Sequence, residues 1–339
     1  MPNEPTRLNM RQVAALAGVS HQTVSRVLNG HPNIKPTTRD RVLRVIAEVN
    51  YRPNSAARAL ATSKTQRIGV VVDASVEYGP NSTLHGVELA ARLQGYSVTS
   101  ITVGADVSFG PDVALEHLLA QGIDALCVIA PRASSLDALS EVAPDMPTLV
   151  VKAAEDDTFL TASVDQELGA ALAVRHLIAL GHRRIAHLAG PQDWLDAVGR
   201  VRGWRRELAD AGLTEPELVI GDWTADCAYE LARVPGRLPP CTSIFAANDQ
   251  MALGLVHGLA ERGISVPGDV SIVGFDDLPE AKHFLPPLTT VRQDFVALGE
   301  RAVDVLLAAL EGRELDRRSV ISPTLVVRAS SAPVAVTAR

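Results

Sequence analysis

The stretch Val13–Gly30, VAALAGVSHQTVSRVLNG, decides the architecture of the N-terminal end. Asn9 followed three residues later by Gln12 is a capping-box-like start for a helix through MRQVAALA. Gly18 ends that helix where a left-handed residue is needed. Ser20 caps a second helix, HQTVSRVLN, and Gly30 closes it. A third is expected from about Pro36 to Val49, with proline at a first-turn position where its missing N–H costs nothing. Val13, Ala14, Leu16, Val19, Val24, Val27, Leu28, Val42, Val45, Ile46 and Val49 supply the expected apolar faces. Two helices joined by a short Gly-containing turn form the layout that sets the second helix in a DNA major groove. The face of that helix away from Val24, Val27 and Leu28 carries His21, Gln22, Ser25, Arg26 and Asn29. Gln and Arg can pair with adenine and guanine edges. On an isolated helix these would read as an ordinary solvated face; the Gly18 turn and the local charge favour a DNA reader.

That charge is unevenly spread. The chain has 339 residues and a net charge of −7, but residues 1–67 hold eleven basic and three acidic residues, +8, which leaves −15 for the remainder. A basic head on an acidic body suits a head that meets phosphate. Length and a 47% hydrophobic content allow two to three domains with a large core. The N-terminus MPNEPTRLNM has no apolar signal-like region and no apolar run is long enough to cross a membrane, so a cytoplasmic protein without a membrane partner is expected. Cys127, Cys227 and Cys241 are odd in number and lack CxxC spacing, which points to plain thiols and to no metal site. No cofactor is expected.

Residues 54–61, NSAARALA, form a short Ala-rich segment capped by Asn54, a helix too short to be stable alone in water. After the polar linker TSKTQR the pattern changes. RIGVVVDA, YSVTSITV, DALCVIA, PTLVVKA, RIAHLAG, TSIFAA and DVSIVGF read as buried parallel strands. Helical segments separate them, such as Leu84–Leu93, Val113–Leu119, Leu168–Leu180, Arg200–Ala211 and Met251–Arg262. This is doubly wound α/β architecture, which binds ligands at the carboxyl ends of its strands. P-loop, GxSxG, HExxH and early GxGxxG motifs are missing, and the adjacent carboxylates Asp276 and Asp277 are poorly placed to flank a bond, so an enzyme is not expected. The strand ends do assemble a binding set. Asp276 follows SIVGF, Asn248 and Asp249 follow SIFAA, Arg200 is expected at the start of a helix after LAGPQDW, and Trp223 follows ELVIGD. Carboxylate, amide and guanidinium groups beside a flat aromatic face suit a sugar. Taken singly, Trp223 also fits a surface-helix cap, and Asn248 and Asp249 a helix N-cap.

The quoted N-terminal stretch, NYRPNSAARALATSKTQRIGVV, GHRRIAHLAGP, FAANDQMALG, SIVGFDD and PPLTTVRQDFVALGERAVDVLL closely resemble the lactose/galactose repressor family, over most of the chain. The resemblance implies a small all-α helix-turn-helix headpiece over 1–53 and a hinge helix and linker over 54–66. Residues 67–339 would be an α/β, periplasmic-binding-protein-like effector domain with parallel sheets and helices on both faces. Its two subdomains would comprise about 67–163 with 293–321, and 164–291 with 322–332. By the same resemblance His21, Gln22 and Arg26 read bases, while Thr23, Ser25 and Asn29 grip the backbone. Asn54 belongs to the hinge, and Leu60 matches an apolar wedge inserted between base pairs. Arg200, Trp223, Asn248 and Asp276 match sugar-contacting positions, with Gln293 and Phe295 as further lining and Tyr78 as an added candidate. Two positions depart from the family pattern. Lys35 stands where Ser usually caps the third helix. Lys152 stands where the lactose branch has an acidic residue, free to alter sugar preference or to pair with Asp157 or a phosphorylated effector. The expected device is a homodimer on double-stranded palindromic operator DNA, released by a small sugar effector, with a β-galactoside leading and a purine-type ligand as the alternative. The tail ASSAPVAVTAR lacks heptads, so no coiled-coil tetramer is expected.

Overall fold

The computed structural model describes residues 8–28, 31–51, 64–73, 78–103, 110–129, 132, 139, 146–153, 158–314 and 316–334. Asn29, Asn54 and Leu60 therefore lie outside the described residues. The chain divides into two compact units, Met1–Thr65 and Gln66–Arg339.

The smaller unit holds α1 (Met10–Leu16), α2 (His21–Leu28) and α3 (Pro36–Glu48). The Asn9 side chain accepts from the Gln12 amide at 3.0 Å, and the Gln12 side chain accepts from the Asn9 amide at 2.8 Å, a complete capping box. Gly18 has φ of 60°, the left-handed backbone that ends α1 and turns the chain into α2. Ser20 Oγ accepts from the Thr23 amide at 3.1 Å and caps α2. Val13, Ala14, Ala17, Val24, Val27 and Val42 form the core of this unit. Leu16, expected inside, is 60% exposed. The stripe Val13, Ala14, Ala17 faces the core, and Leu16 lies about 200° round the helix from Ala14.

The larger unit contains two six-stranded sheets. The first has the order β11 (Arg318–Ile321), β5 (Leu160–Val164), β4 (Thr148–Val151), β3 (Ala125–Ile129), β1 (Arg67–Val72), β2 (Ser97–Thr102), parallel throughout. The second runs β12 (Thr324–Val326), β10 (Thr289–Arg292), β9 (Ser271–Asp276), β8 (Ser243–Ala246), β6 (Ile185–Ala189), β7 (Val219–Ile220). Only the β10–β12 pair in it is antiparallel. Strands β1 to β5 build one sheet, β6 to β10 the other, and β11 and β12 return once to each, so the chain passes between the sheets three times. Central strands β3, β4, β6, β8 and β9 are wholly buried, as Val/Ile/Ala-rich runs covered on both faces must be. Strand β2, expected to be buried, is the outermost strand and alternates between exposed and half-buried residues.

The helices covering the first sheet include α4 (Tyr78–Leu93), α5 (Pro111–Ala120) and α10 (Phe295–Leu310). The second sheet carries α6 (Gln166–Ala179), α7 (Leu195–Asp210), α8 (Ala225–Arg233) and α9 (Asp249–Glu261). Among the described residues no helix is long and apolar enough to cross a membrane.

Candidate functional site

Between the two sheets lies a cavity of about 630 Å³, counting its open mouth. Its walls come from both halves. Tyr78 and Thr83 of α4, Ile129, Val151 and Ser163 at strand ends, and Phe295 and Leu298 of α10 form one side. Gln166, Trp194, Asp196, Arg200, Trp223, Asn248, Asp276 and Gln293 form the other. Parallel strands converge here at their carboxyl ends, where such sheets place ligands.

Arg200 organises the polar side. Its Nε donates to Gln166 Oε1 at 2.8 Å and Nη1 donates to the Ala247 carbonyl. Nη2 lies 3.9 Å from Asp276 Oδ1, and the guanidinium stacks 4.0 Å over Phe275 and 5.5 Å over Trp223. The network continues as Gln166 Nε2 donates to Gln293 Oε1 at 2.8 Å and Gln293 Nε2 donates to Asp276 Oδ1 at 2.7 Å. Burial pushes the Asp276 carboxyl up to about 6, against the opposing pull of Arg200 and Gln293. Burial lowers the Arg200 guanidinium, and Asp276, Asp196 and Asp249 pull it back. Asp249, fully buried behind the wall, accepts from Thr290 Oγ1 at 2.6 Å and from the Leu278 amide at 2.8 Å. Burial, then Asp276, raise its carboxyl well above the ordinary range.

Trp223 and Asn248 act together. Asn248 Oδ1 accepts from the Met251 amide at 2.9 Å and caps α9, while its Nδ2 donates to the Trp223 carbonyl at 3.0 Å. The N-cap reading of Asn248 and its place on the cavity wall are thus both true. Trp223 is held at φ of 74°, a conformation costly for a bulky residue. A Cβ at Gly190 would overlap its indole, so the neighbouring loop must be glycine to let the ring lie there. Its buried Nε1 has no acceptor among the described residues. Trp194 meets it edge-on at 5.6 Å. Asp276 and Asp277 both have positive φ, at 107° and 54°, and diverge. Asp276 faces the cavity, whereas Asp277 is held by Arg292 Nε and Arg328 Nη2, each at 2.6 Å.

Of the residues singled out from sequence, Tyr78, Arg200, Trp223, Asn248, Asp276, Gln293 and Phe295 lie on the cavity wall. Lys152 does not: it is buried at the end of β4, 5% exposed and off the lining. Helix α7 starts at Leu195, earlier than expected, so Arg200 sits in its second turn. Asp196, one turn earlier on the same face, was missed for that reason; its Oδ1 accepts from the Ala153 amide at 3.2 Å. Gln166 and Trp194 were missed as well. Gln166 directly follows Asp165, the N-cap of α6, and the cap was the one available signal. Beside Trp194, Arg132 joins the halves: its main chain bridges to Trp194, and its guanidinium lies 3.5 Å from Asp73 and 3.4 Å from Asp193.

In the smaller unit, His21, Gln22 and Arg26 are exposed on α2, Thr23 and Ser25 are half-buried, and Val24 and Val27 point inward. Thr23 Oγ1 lies 2.9 Å from Ser20 Oγ at the helix start. Among the described residues no group of three or more His, Cys, Asp or Glu side chains could hold a metal ion.

A helix-turn-helix unit with a polar outward face, joined to a two-sheet domain around a ligand-sized cavity, defines the class of ligand-controlled transcription regulators. The model for bacterial regulatory proteins of the lacI family matches residues 9–54, and that for the periplasmic binding protein-like domain matches 174–331. The lactose operon repressor of Escherichia coli K12 is 34% identical over 326 residues, covering 95% of this chain and 90% of that protein. The HTH-type transcriptional repressor PurR of Haemophilus influenzae is 34% identical over 338 residues, covering 95% and 98%. The crystal structure of the lac repressor dimer bound to operator and the anti-inducer ONPF superposes with a TM-score of 0.83 at 32% identity, covering 96% of this chain and all of that one. A CelR–cellobiose complex does so with 0.72 at 31%, covering 96% and 100%. The chain belongs to the lacI family of bacterial regulatory proteins and is a DNA-binding transcription repressor.

Proposed function

We propose that the protein binds a near-palindromic operator as a homodimer and releases it when a small sugar occupies the cavity. One observation carries the effector reading: Asp276, Asn248 and Arg200 converge on a cavity with the Trp223 indole in its wall. Hydroxyls need paired acceptors and donors, and the C–H face of a sugar lies well on an aromatic ring. A β-galactoside leads among sugars on the family resemblance to the lactose branch. PurR relatives at the same identity favour a second reading, a purine ligand in the same cavity.

On the DNA side, His21, Gln22 and Arg26 read base edges from exposed positions on α2, with Thr23, Ser25 and Asn29 at the backbone. Asn54 and Leu60 keep their assignment to a hinge on the family resemblance alone, within a linker over 54–66. The effector domain is assigned to 67–339 and the headpiece to 1–53. Occupying the cavity would change the angle between the two sheets and lower operator affinity through tighter ligand binding to one state.

A thermal-shift panel of β-galactosides, β-glucosides and purines, followed by operator release with each hit, tests the reading. A β-galactoside that raises the melting temperature and releases operator supports it. A purine that does both, with sugars inert, replaces it with the second reading.

A further inference from the structure

The described cavity wall carries one cation and two carboxylates. Arg200 is its only basic side chain, set against Asp196 and Asp276. The guanidinium is already spent: Nε on Gln166, Nη1 on the Ala247 carbonyl, and its charge on Asp276. Each carboxylate uses Oδ1 alone, Asp196 for the Ala153 amide and Asp276 for Gln293, and neither Oδ2 accepts a bond from a described residue. Lys152 is buried and is not among the residues that line the cavity. Charge set between low-dielectric walls focuses its field on whatever enters.

We propose that this cavity selects its effector by charge, admitting neutral or protonated hydroxyl- and amine-bearing ligands and rejecting phosphorylated or carboxylated ones, with Asp196 as the residue that sets the selection. Asp276 balances Arg200, so the excess charge belongs to Asp196. Its place in the first turn of α7, four residues before Arg200, puts it on the same helix face, where both line the cavity. Asp196 offers a spare acceptor to a hydroxyl, makes an ion pair with an ammonium, and repels a phosphate. The inference deepens the effector-cavity reading and rests on it, but not on the effector being a sugar.

The test is calorimetry on the full chain with two matched pairs of probes: methyl β-galactoside against its 6-phosphate, and adenine against AMP. In whichever pair binds, the anion should be at least about tenfold weaker, as like charges at a desolvated wall require. Asp196→Asn should shrink that gap while leaving the Asp276–Arg200 contact in place. Methyl β-galactosaminide should bind wild type at least as well as the neutral sugar and lose most from Asp196→Asn. A phosphate that binds as tightly as its neutral parent overturns the proposal, and so does an unchanged ratio in Asp196→Asn. If only the purine pair binds, the sugar reading fails while adenine and AMP still decide the question of charge. A measurement without ligand covers the remaining case. Burial raises the Asp196 carboxyl above its ordinary range, so ionising it penalises the folded state as pH climbs. Asp196→Asn should therefore gain melting temperature over wild type as pH climbs above the ordinary carboxylate range. A gain that does not change with pH means Asp196 carries no unbalanced charge, which also overturns the proposal.

Discussion

In the smaller unit His21, Gln22 and Arg26 stand exposed on an eight-residue helix, whereas in the larger one Arg200, Asn248, Asp276 and Gln293 are each at most 7% exposed. The first set is held by nothing but its helix, whose other face is fixed by Val24 and Val27. The second set is held by itself: remove one member and its neighbours lose hydrogen bonds in a place water cannot easily repair. The lesson is that substitution in α2 acts on recognition and leaves folding intact, while substitution in the cavity acts on both. Where that distinction is largest, it is easiest to break.

Arg200→Ala is the extreme case. It strips Gln166 Oε1 and the Ala247 carbonyl of their donor and leaves Asp276 buried without its cation. Losing one partner of a buried pair costs about 3–5 kcal/mol. Urea unfolding followed by tryptophan emission should show that loss in the larger unit, which holds Trp194, Trp204 and Trp223. An Arg200→Ala protein as stable as wild type would mean the network is not what holds the second half together.

Asp276→Ala should cost about 2–3 kcal/mol of effector affinity, the scale of hydrogen bonds to a charged group. Wild-type affinity should also depend on pH with a definite sign. Burial lifts Asp276 to about 6, and only the ionised form accepts from two hydroxyls, so binding is full above that value. It should fall by about tenfold per unit below it. Asp276→Asn flattens this profile. A wild-type profile that is already flat from pH 5 to 8 removes Asp276 from the ligand contact and assigns it to the strand end.

How much was legible beforehand follows the same division. The headpiece is written locally. The Asn9–Gln12 box, Gly18, Ser20 and the Val24/Val27 stripe lie within some twenty residues, and each acts on near neighbours in the chain. The cavity draws on α4, α6, α7, α9, α10 and the ends of β3, β4, β5 and β9, and no short-range pattern states that Tyr78 meets Phe295 edge-on at 5.8 Å. Arg200, Trp223, Asn248 and Asp276 were reached from the strand ends and the family resemblance together, whereas Asp196, Gln166 and Trp194 fall at the starts of α6 and α7, which the sequence placed too late. Lys152 shows the opposite failure. Its position in the pattern pointed to the pocket, but Lys152 is buried after the end of β4 and is not among the residues that line the cavity.

Arg26→Ala tests the exposed set with a smaller effect. A bidentate contact to guanine contributes about 1–3 kcal/mol, so operator affinity should fall by that amount with relaxed preference at one base pair. Thermal unfolding should not change, because Arg26 is exposed and the core of its unit is made by other residues. Reduced affinity with unchanged sequence preference would make Arg26 a phosphate contact instead of a base reader.

The smallest effect concerns Lys35. It occupies the N-cap of α3 with no side-chain hydrogen bond to the helix, while the amides of Thr38 and Arg39 reach only its backbone carbonyl, each at 3.0 Å. The other two helices of the unit both have side-chain caps, from Asn9 and Ser20. Lys35 φ and ψ, −55° and 134°, already suit a capping residue, so Lys35→Ser needs no backbone change to place a hydroxyl over the first turn. The gain expected is about 0.5–1 kcal/mol of headpiece stability. The same substitution removes one of the eleven basic residues in 1–67. If Lys35 meets a phosphate, the slope of log affinity against log salt should become shallower by about 0.9, the release of one counterion. Headpiece melting and a salt titration of operator binding measured on one preparation separate the two roles. Greater stability with an unchanged salt slope makes Lys35 simply a poor cap, and a shallower slope makes it a residue kept for DNA at a cost in stability.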